Sequence, residues 1–275
     1  MIATRDRRDR LEHVLARLAS LPEKPPVVVV DNGSRDGTPT AVERSQARLI
    51  RLHRDLGAAA RTVGVRALDT DAVAFCDDDS WWEPGSLTRA VELMRAHPRL
   101  AVIAARILVG PENRLDPVCA EMARSPIPTP AGLPGRAVLG FVACGSVVRR
   151  AAYLAVGGFE RRLGIGGEEE LLALDLAAAG WQLQYVEELV AHHHPALRPG
   201  GDETHVNDIR NAIWSAWLRR SRRAALSRTA ALAAVAIRAR RPGLLATTAR
   251  GMTWVLRERR VVPVEVERAA RTLDP

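Results

Sequence analysis

At 275 residues, with 47% apolar and 26% charged residues, the chain has the make-up of an ordinary globular protein rather than a disordered or fibrous one, with length for one large or two small domains. Its net charge of +8, carried almost wholly by arginine (Lys24 is the single lysine), attracts anionic ligands, nucleic acid or an acidic membrane surface without choosing among them. Cys76, Cys119 and Cys144 are odd in number and widely spaced, which argues against a disulfide framework or a CxxC zinc site; no signal-peptide pattern is visible, and no apolar run reaches the ~18 residues of a membrane span.

The chain opens on Ile2-Ala3-Thr4, followed by Arg5-Asp6-Arg7-Arg8 and a helical pattern of Leu11, Val14, Leu15 and Leu18. Pro25-Pro26 ends that helix. Residues 27–30 are four consecutive valines, as expected of a strand buried on both faces. Residues 31–38, Asp-Asn-Gly-Ser-Arg-Asp-Gly-Thr, read as a turn leading into a helix N-cap. A short strand follows at 47–52, and Gly57 opens a helix that runs to about residue 68. Residues 72–76 form another short apolar strand, which ends in three carboxylates, Asp77-Asp78-Asp79, and then Ser80-Trp81-Trp82. Pro84 sits where a first-turn proline belongs, before a helix over 87–96.

Residues 100–109 read as a strand, 111–134 as a proline-rich loop, and 140–148 as a further apolar segment. A Gly-rich stretch leads into Glu168-Glu169-Glu170 and a helix closed by Gly180. Short strands at 183–186 and 189–191 run into His192-His193-His194, and from about 206 to 260 the pattern is helical with a break at Pro242-Gly243. Alternating strands and helices predict an α/β domain with a mostly parallel sheet, in which ligands bind at the carboxyl ends of the strands. Asp31 and Asp77–Asp79 both fall at such ends.

Three adjacent carboxylates repel one another, and a divalent cation or a ring of donors relieves that repulsion. Hard oxygen ligands favour magnesium or manganese over zinc. Taken alone, Asp77–Asp79 also fit a solvated turn. Likewise Glu168–Glu170 fit a helix start favoured by the helix dipole.

With these pieces in order, the chain resembles an inverting family 2 glycosyltransferase of the GT-A fold. Residues 27–38 are similar to that family's nucleotide-holding strand and turn, residues 73–79 resemble its DxD metal motif, and residues 166–181 resemble the acidic helix start that supplies the catalytic base. The resemblance implies transfer of a sugar from a nucleotide-diphosphate donor to an acceptor hydroxyl. It puts Asp31 on the base, Asp77 near the ribose, Asp78, Ala3 and Thr4 in donor binding, and Arg61 near the phosphates. Asp79 would coordinate Mg²⁺ or Mn²⁺. Glu169 falls on the base position, preceded by Glu168. His192 and His193 are both candidates to reach the metal or diphosphate, although neighbouring strand residues point to opposite sides. Arg210-Asn211 resembles a pair that follows the catalytic domain in many relatives. Glu169 stands where aspartate is more usual, and Thr62 and Asp55 stand where asparagines are common.

The resemblance covers a catalytic domain over residues 1–197, with a helical extension over 198–275. Relatives carry about five strand residues before the equivalent of Ala3-Thr4, where this chain has Met1 and Ile2, so the expectation is a natural start several residues upstream. In the extension, Trp214, Trp217, Leu218 and the arginines of 219–223 read either as a basic amphipathic helix at a membrane surface or as a helical cap with a solvated face. The expected location is cytoplasmic, at the inner face of the membrane if the first reading holds. The acceptor is a glycan, a lipid-linked intermediate or a small molecule. Two rivals remain. A nucleotidyltransferase making sugar nucleotides wants a Gly-rich loop after the first strand, and Thr4-Arg5-Asp6-Arg7 has no glycine. A basic nucleic-acid-binding protein would not concentrate its motifs in acids at strand ends, so no nucleic-acid partner is expected.

Overall fold

The structure is a computed structural model and describes residues 1–195, 202–240 and 242–274. The first unit is a parallel ladder, β1 (Ile2–Thr4), β2 (Val28–Asp31) and β3 (Arg48–Arg51), in the order β1-β2-β3. Its register sets Thr4 opposite Asp31. The valines of β2 are at most 3% exposed, as a two-sided strand requires. Two helices connect these strands. α1 (Arg8–Ala19) buries Leu11, Val14, Leu15 and Leu18, the i, i+3, i+4, i+7 stripe of one helix face. α2 (Thr38–Glu43) has proline in its first turn. α3 (Ala60–Ala67) then returns the chain to β4 (Ala72–Ala74).

The second ladder is mixed. After β4 come β5 (Ser80–Trp82), α4 (Ser86–Ala96), β6 (Leu100–Val109), β7 (Arg114–Leu115), α5 (Pro117–Ala123), β8 (Arg136–Ala137), β9 (Ser146–Arg149), α6 (Arg150–Ala155), α7 (Glu168–Ala178) and β10 (Gln182–His193). The strand order is β4-β9-β6-β10-β5. β6 and β10 run parallel, whereas β9 lies antiparallel to both β4 and β6, and β5 antiparallel to β10. The mostly parallel sheet predicted from strand–helix alternation therefore holds for the first ladder, and the second is antiparallel wherever β9 or β5 enters. The two short strands expected at 183–186 and 189–191 are one long strand with a register shift between Val186 and Val190.

Among the described pairings the ladders meet at one bridge, Ile2 with Cys76. β1 is only three residues long. Beside it opens a cavity of about 440 Å³, lined by Val27, Ala72, Val73 and other apolar groups together with Asp69, Asp71, Arg95 and Arg149. There the Met1 ammonium donates to the Ala74 carbonyl at 2.9 Å. The apolar core lies on both faces of the sheet, and Phe75, Trp82 and Tyr153 are its largest fully buried side chains, each contributing on the order of 2–3 kcal/mol by burial.

The extension consists of α8 (Asp202–Arg219), α9 (Arg222–Arg238), α10 (Pro242–Arg257) and α11 (Val264–Arg271). The boundary expected at 197/198 lies outside the described residues. A break missed in the helical pattern is Ser221, whose hydroxyl caps α9 by accepting from the Ala224 amide at 3.3 Å. Trp214 and Leu218 pack with Leu163, Leu171 and Val255 against the catalytic unit. Arg219 pairs with Asp175, and Arg220 with Glu267 and Asp274 at 2.8 Å each. Of the residues read either as a membrane-facing helix or as a cap, Trp214, Leu218, Arg219 and Arg220 thus turn inward, Arg219 tying the extension to α7, whereas Arg222 and Arg223 stay exposed.

Candidate active site

The acids named from the sequence gather where the first ladder meets the second. Asp31, at the carboxyl end of β2, is 1% exposed; its Oδ1 accepts from the Ser34 amide at 2.9 Å, and Arg51 stands 3.8 Å from Oδ2. This Asx turn holds the 31–38 loop. Next to it Asn32 bridges strands and loop, donating to Asp55 at 2.6 Å and accepting from the Leu56 amide at 2.8 Å. Asp55 therefore does the hydrogen-bonding work of the more common asparagine as an acceptor.

Thr4, at the end of β1, donates its hydroxyl to Asp78 Oδ2 at 2.7 Å. Burial pushes the Asp78 carboxyl up to about 6, against the pull of that hydrogen bond. Ala3 is half-buried and packs against the core beneath. Arg61 is the hub. Its guanidinium pairs with Asp77 and approaches Glu168 Oε1 at 3.9 Å, with Phe159 beneath it at 6.0 Å. Burial opposes its charge, but Asp77, Glu168 and Glu169 together hold Arg61 protonated. In this structure Arg61 joins the strand-end acids to the helix-start acids.

Glu168 is 3% exposed and accepts from the Gly166 amide at 2.5 Å. Glu169 lies one residue on, partly accessible, its Oε1 3.4 Å from the Ala143 amide. Burial, and then the neighbouring Glu168 charge, push the Glu169 carboxyl up to about 8. A carboxylate raised to this range can accept a proton near neutrality. Glu170 turns away and pairs with Arg228 of α9 at 2.9 Å.

The loop before these glutamates is held from both sides. Ala58 donates its amide to the Gly164 carbonyl at 2.9 Å, and a Cβ on Gly57 would meet Gly164 backbone at 2.8 Å. From α8, fully buried Asn211 donates to the Leu163 and Gly166 carbonyls at 2.9 and 2.5 Å, while Arg210 donates to its Oδ1 at 3.0 Å. Gly166 has φ +105, and a Cβ there would strike Asp208 at 2.1 Å. The Arg210-Asn211 pair, noticed in the sequence without a role, therefore clamps the loop that aims Glu168 and Glu169.

The histidines separate as strand geometry demands. His193 Nε2 lies 3.4 Å from Asp79 Oδ1, and Arg10 Nη1 stands 3.7 Å from the other oxygen. His193 is held more basic than usual, because Asp79 outweighs the effect of burial. His192 faces away: it bonds Glu83 at 2.6 Å and Asn113 at 3.2 Å and stacks on Trp81 at 5.4 Å. Of the two histidines, His193 is thus the one placed beside Asp79. Trp82 is core, its indole donating to the Phe75 carbonyl at 3.2 Å. Arg10 gave no sequence signal, being one of many arginines on a polar helix face.

Among the described residues no three acidic, imidazole or thiol groups form a closed metal cage. Asp79 is 14% exposed and His193 23%, so both would be reachable by a divalent cation. The carboxylate oxygens of Asp79 are of the hard kind that suits Mg²⁺ or Mn²⁺.

A mixed sheet flanked by helices, with acids at its strand ends and a second acidic group opening a helix, defines the GT-A fold of nucleotide-sugar transferases. The chain belongs to glycosyl transferase family 2, whose profile matches residues 1–157. It is 31% identical over 229 residues to the N-acetylglucosaminyl-diphospho-decaprenol L-rhamnosyltransferase of Mycobacterium tuberculosis, covering 70% of this chain and 74% of that one. In structure it is similar to the Pyrobaculum calidifontis mannosyltransferase PcManGT in complex with GDP-Man and Mn²⁺, with TM-score 0.61, 20% identity and coverage of 98% and 85%. It is also similar to residues 1–349 of S. aureus TarS in complex with UDP-GlcNAc, with TM-score 0.58, 16% identity and coverage of 72% and 58%. The chain is a glycosyltransferase.

Proposed function

We propose that the protein is an inverting, metal-assisted glycosyltransferase that moves a sugar from a nucleoside-diphosphate donor to a hydroxyl of a lipid-linked diphosphate acceptor, at the cytoplasmic face of a membrane. The observation that carries this reading is the connected set Thr4–Asp78 and Asp77–Arg61–Glu168. It joins a nucleotide-side strand end to the helix start that bears Glu169.

In this reading Asp31 and the 31–38 turn take the base, and Asp77 and Asp78 the ribose and phosphate region. Asp79, with His193 beside it, would hold the divalent cation, which would supply charge neutralisation for the departing diphosphate. Donor phosphates compete with Asp77 and Glu168 for Arg61, so donor binding loosens the ion pairs seen here. Glu169 takes the proton of the acceptor hydroxyl as its oxygen bonds to the anomeric carbon, opposite the breaking bond to the diphosphate. One displacement inverts that carbon. The M. tuberculosis relative, named for a decaprenol-linked diphosphate acceptor, supports the acceptor class, and the GDP-Man and Mn²⁺ held by PcManGT support donor and cation.

The test is product configuration. Purified protein is incubated with Mn²⁺, UDP-, GDP- and dTDP-sugars, and a short-chain polyprenyl-diphosphate sugar, and the product is examined by NMR. Inversion at the transferred anomeric carbon is expected; retention would contradict a single displacement with Glu169 as base.

A further inference from the structure

Among the described residues ten large hydrophobics are exposed, and seven of them lie after residue 220. α9 holds three, Leu226 at 57% and Ile237 at 63% on one side and Val235 at 47% about 180° around the helix from Leu226. Leu226, Ala230, Ala233 and Ile237 fall at i, i+4, i+7 and i+11, a single stripe along three turns. Arg222 and Arg223 stand exposed at one end, Arg238 and Arg240 at the other. Residues 222–257 contain no Asp or Glu. The opposite side of α9, about 180° around the helix at 100° per residue, carries Arg228, which pairs with Glu170 of the catalytic helix at 2.9 Å. Trp217 fastens the same helix by donating to Thr229 at 2.9 Å.

We propose that the outward face of α9 docks on the surface of an anionic phospholipid bilayer. Leucine and isoleucine enter the headgroup boundary, and the terminal arginines meet lipid phosphates. The choice of occupant follows from charge. A second copy would bring the same acid-free, arginine-flanked surface against itself, whereas an anionic bilayer complements it. The inward contact with Glu170 then ties the base-bearing helix to the docking helix. That is the placement a lipid-anchored acceptor requires. The assignment of acceptor rests on the function proposed above, but the docking surface does not, because binding to lipid needs no turnover.

Co-sedimentation with phosphatidylglycerol–phosphatidylcholine vesicles, and with phosphatidylcholine alone, separates these ideas. Wild type is expected to bind the anionic vesicles at 50 mM salt and to retain part of that binding at 300 mM. Arg222→Glu/Arg238→Glu should weaken it at least about twenty-fold, since each arginine at such a surface is worth roughly five-fold before charge reversal adds to it. Leu226→Ser/Ile237→Ser should abolish the salt-resistant part. Arg44→Glu/Arg95→Glu, an equal charge change elsewhere on the surface, should cost under three-fold. No binding of wild type at 50 mM salt would overturn the proposal. Equal losses in the α9 and control charge variants would overturn it too, as would a dimer dissolved by Leu226→Ser/Ile237→Ser. Thermal melting and manganese-dependent nucleotide binding, unchanged in every variant, keep a failure here distinct from a failure of the sugar-transfer reading.

Discussion

Glu169→Gln is expected to slow sugar transfer by about 10²–10⁴-fold while making the protein more stable, and more so as the pH rises. Glutamine keeps the shape and one acceptor for the Ala143 amide but cannot take a proton. The stability effect has the opposite sign because the wild-type carboxyl is raised, from 4.5 to about 8, by burial and by Glu168. A carboxyl raised on folding favours the folded state below its unfolded pKa and withdraws that support as the pH climbs through the folded value. The variant and wild type should therefore melt alike near pH 4.5 and diverge toward pH 8.5, by up to a few kcal/mol at ~1.4 per pKa unit. Wild-type transfer rate should climb over the same interval, as Glu169 loses its proton. Melting curves at pH 5, 6.5 and 8.5 and a pH–rate profile read both. An acid limb near pH 4 with no gain in stability would place the working base elsewhere.

Asn211→Asp is expected to do more harm than Asn211→Ala, although aspartate is the closer shape. The amide donates two hydrogens to carbonyls 2.9 and 2.5 Å away. A carboxylate there puts an oxygen against both, in a buried site. Arg210 satisfies only the other oxygen, to which it already donates at 3.0 Å. The loss should be about 2–4 kcal/mol for Asp against 1–3 for Ala. Because the clamp acts on the loop before Glu168 and not on Asp31 or Asp79, transfer rate should drop at least ten-fold with nucleotide affinity within two-fold of wild type. Urea unfolding, steady-state kinetics and nucleotide titration distinguish this from a purely structural role, which would leave the folded fraction fully active.

The acid motifs were legible because their chemistry is local: a β-branched run ending in carboxylates marks a strand end whatever surrounds it. The separation of His192 from His193 was also foreseeable in kind, since adjacent strand residues diverge, but which one met Asp79 depended on the pairing of β10 with β5. The ion pairs of Arg61 could not be read from the sequence. Its helix start was visible, yet its partners Asp77 and Glu168 come from segments 16 and 107 residues away, brought together only by the tertiary fold. The helix Pro117–Ala123, hidden in the proline-rich stretch, did announce itself through Asp116-Pro117; the Asp116 carboxylate caps it by accepting from the Val118 amide at 2.9 Å. In the extension, tryptophan and arginine looked like a surface pattern because side-chain type cannot tell a buried ion pair, such as Arg220 with Glu267, from a solvated one.

The most direct test of the central claim is calorimetric titration of UDP, GDP and dTDP, with and without Mn²⁺, into wild type and Asp79→Ala. One nucleotide should bind with manganese, lose at least ten-fold in affinity without it, and show no manganese dependence in the variant. Binding of every nucleotide with or without metal, unchanged by Asp79→Ala, would contradict a donor site built on the strand-end acids.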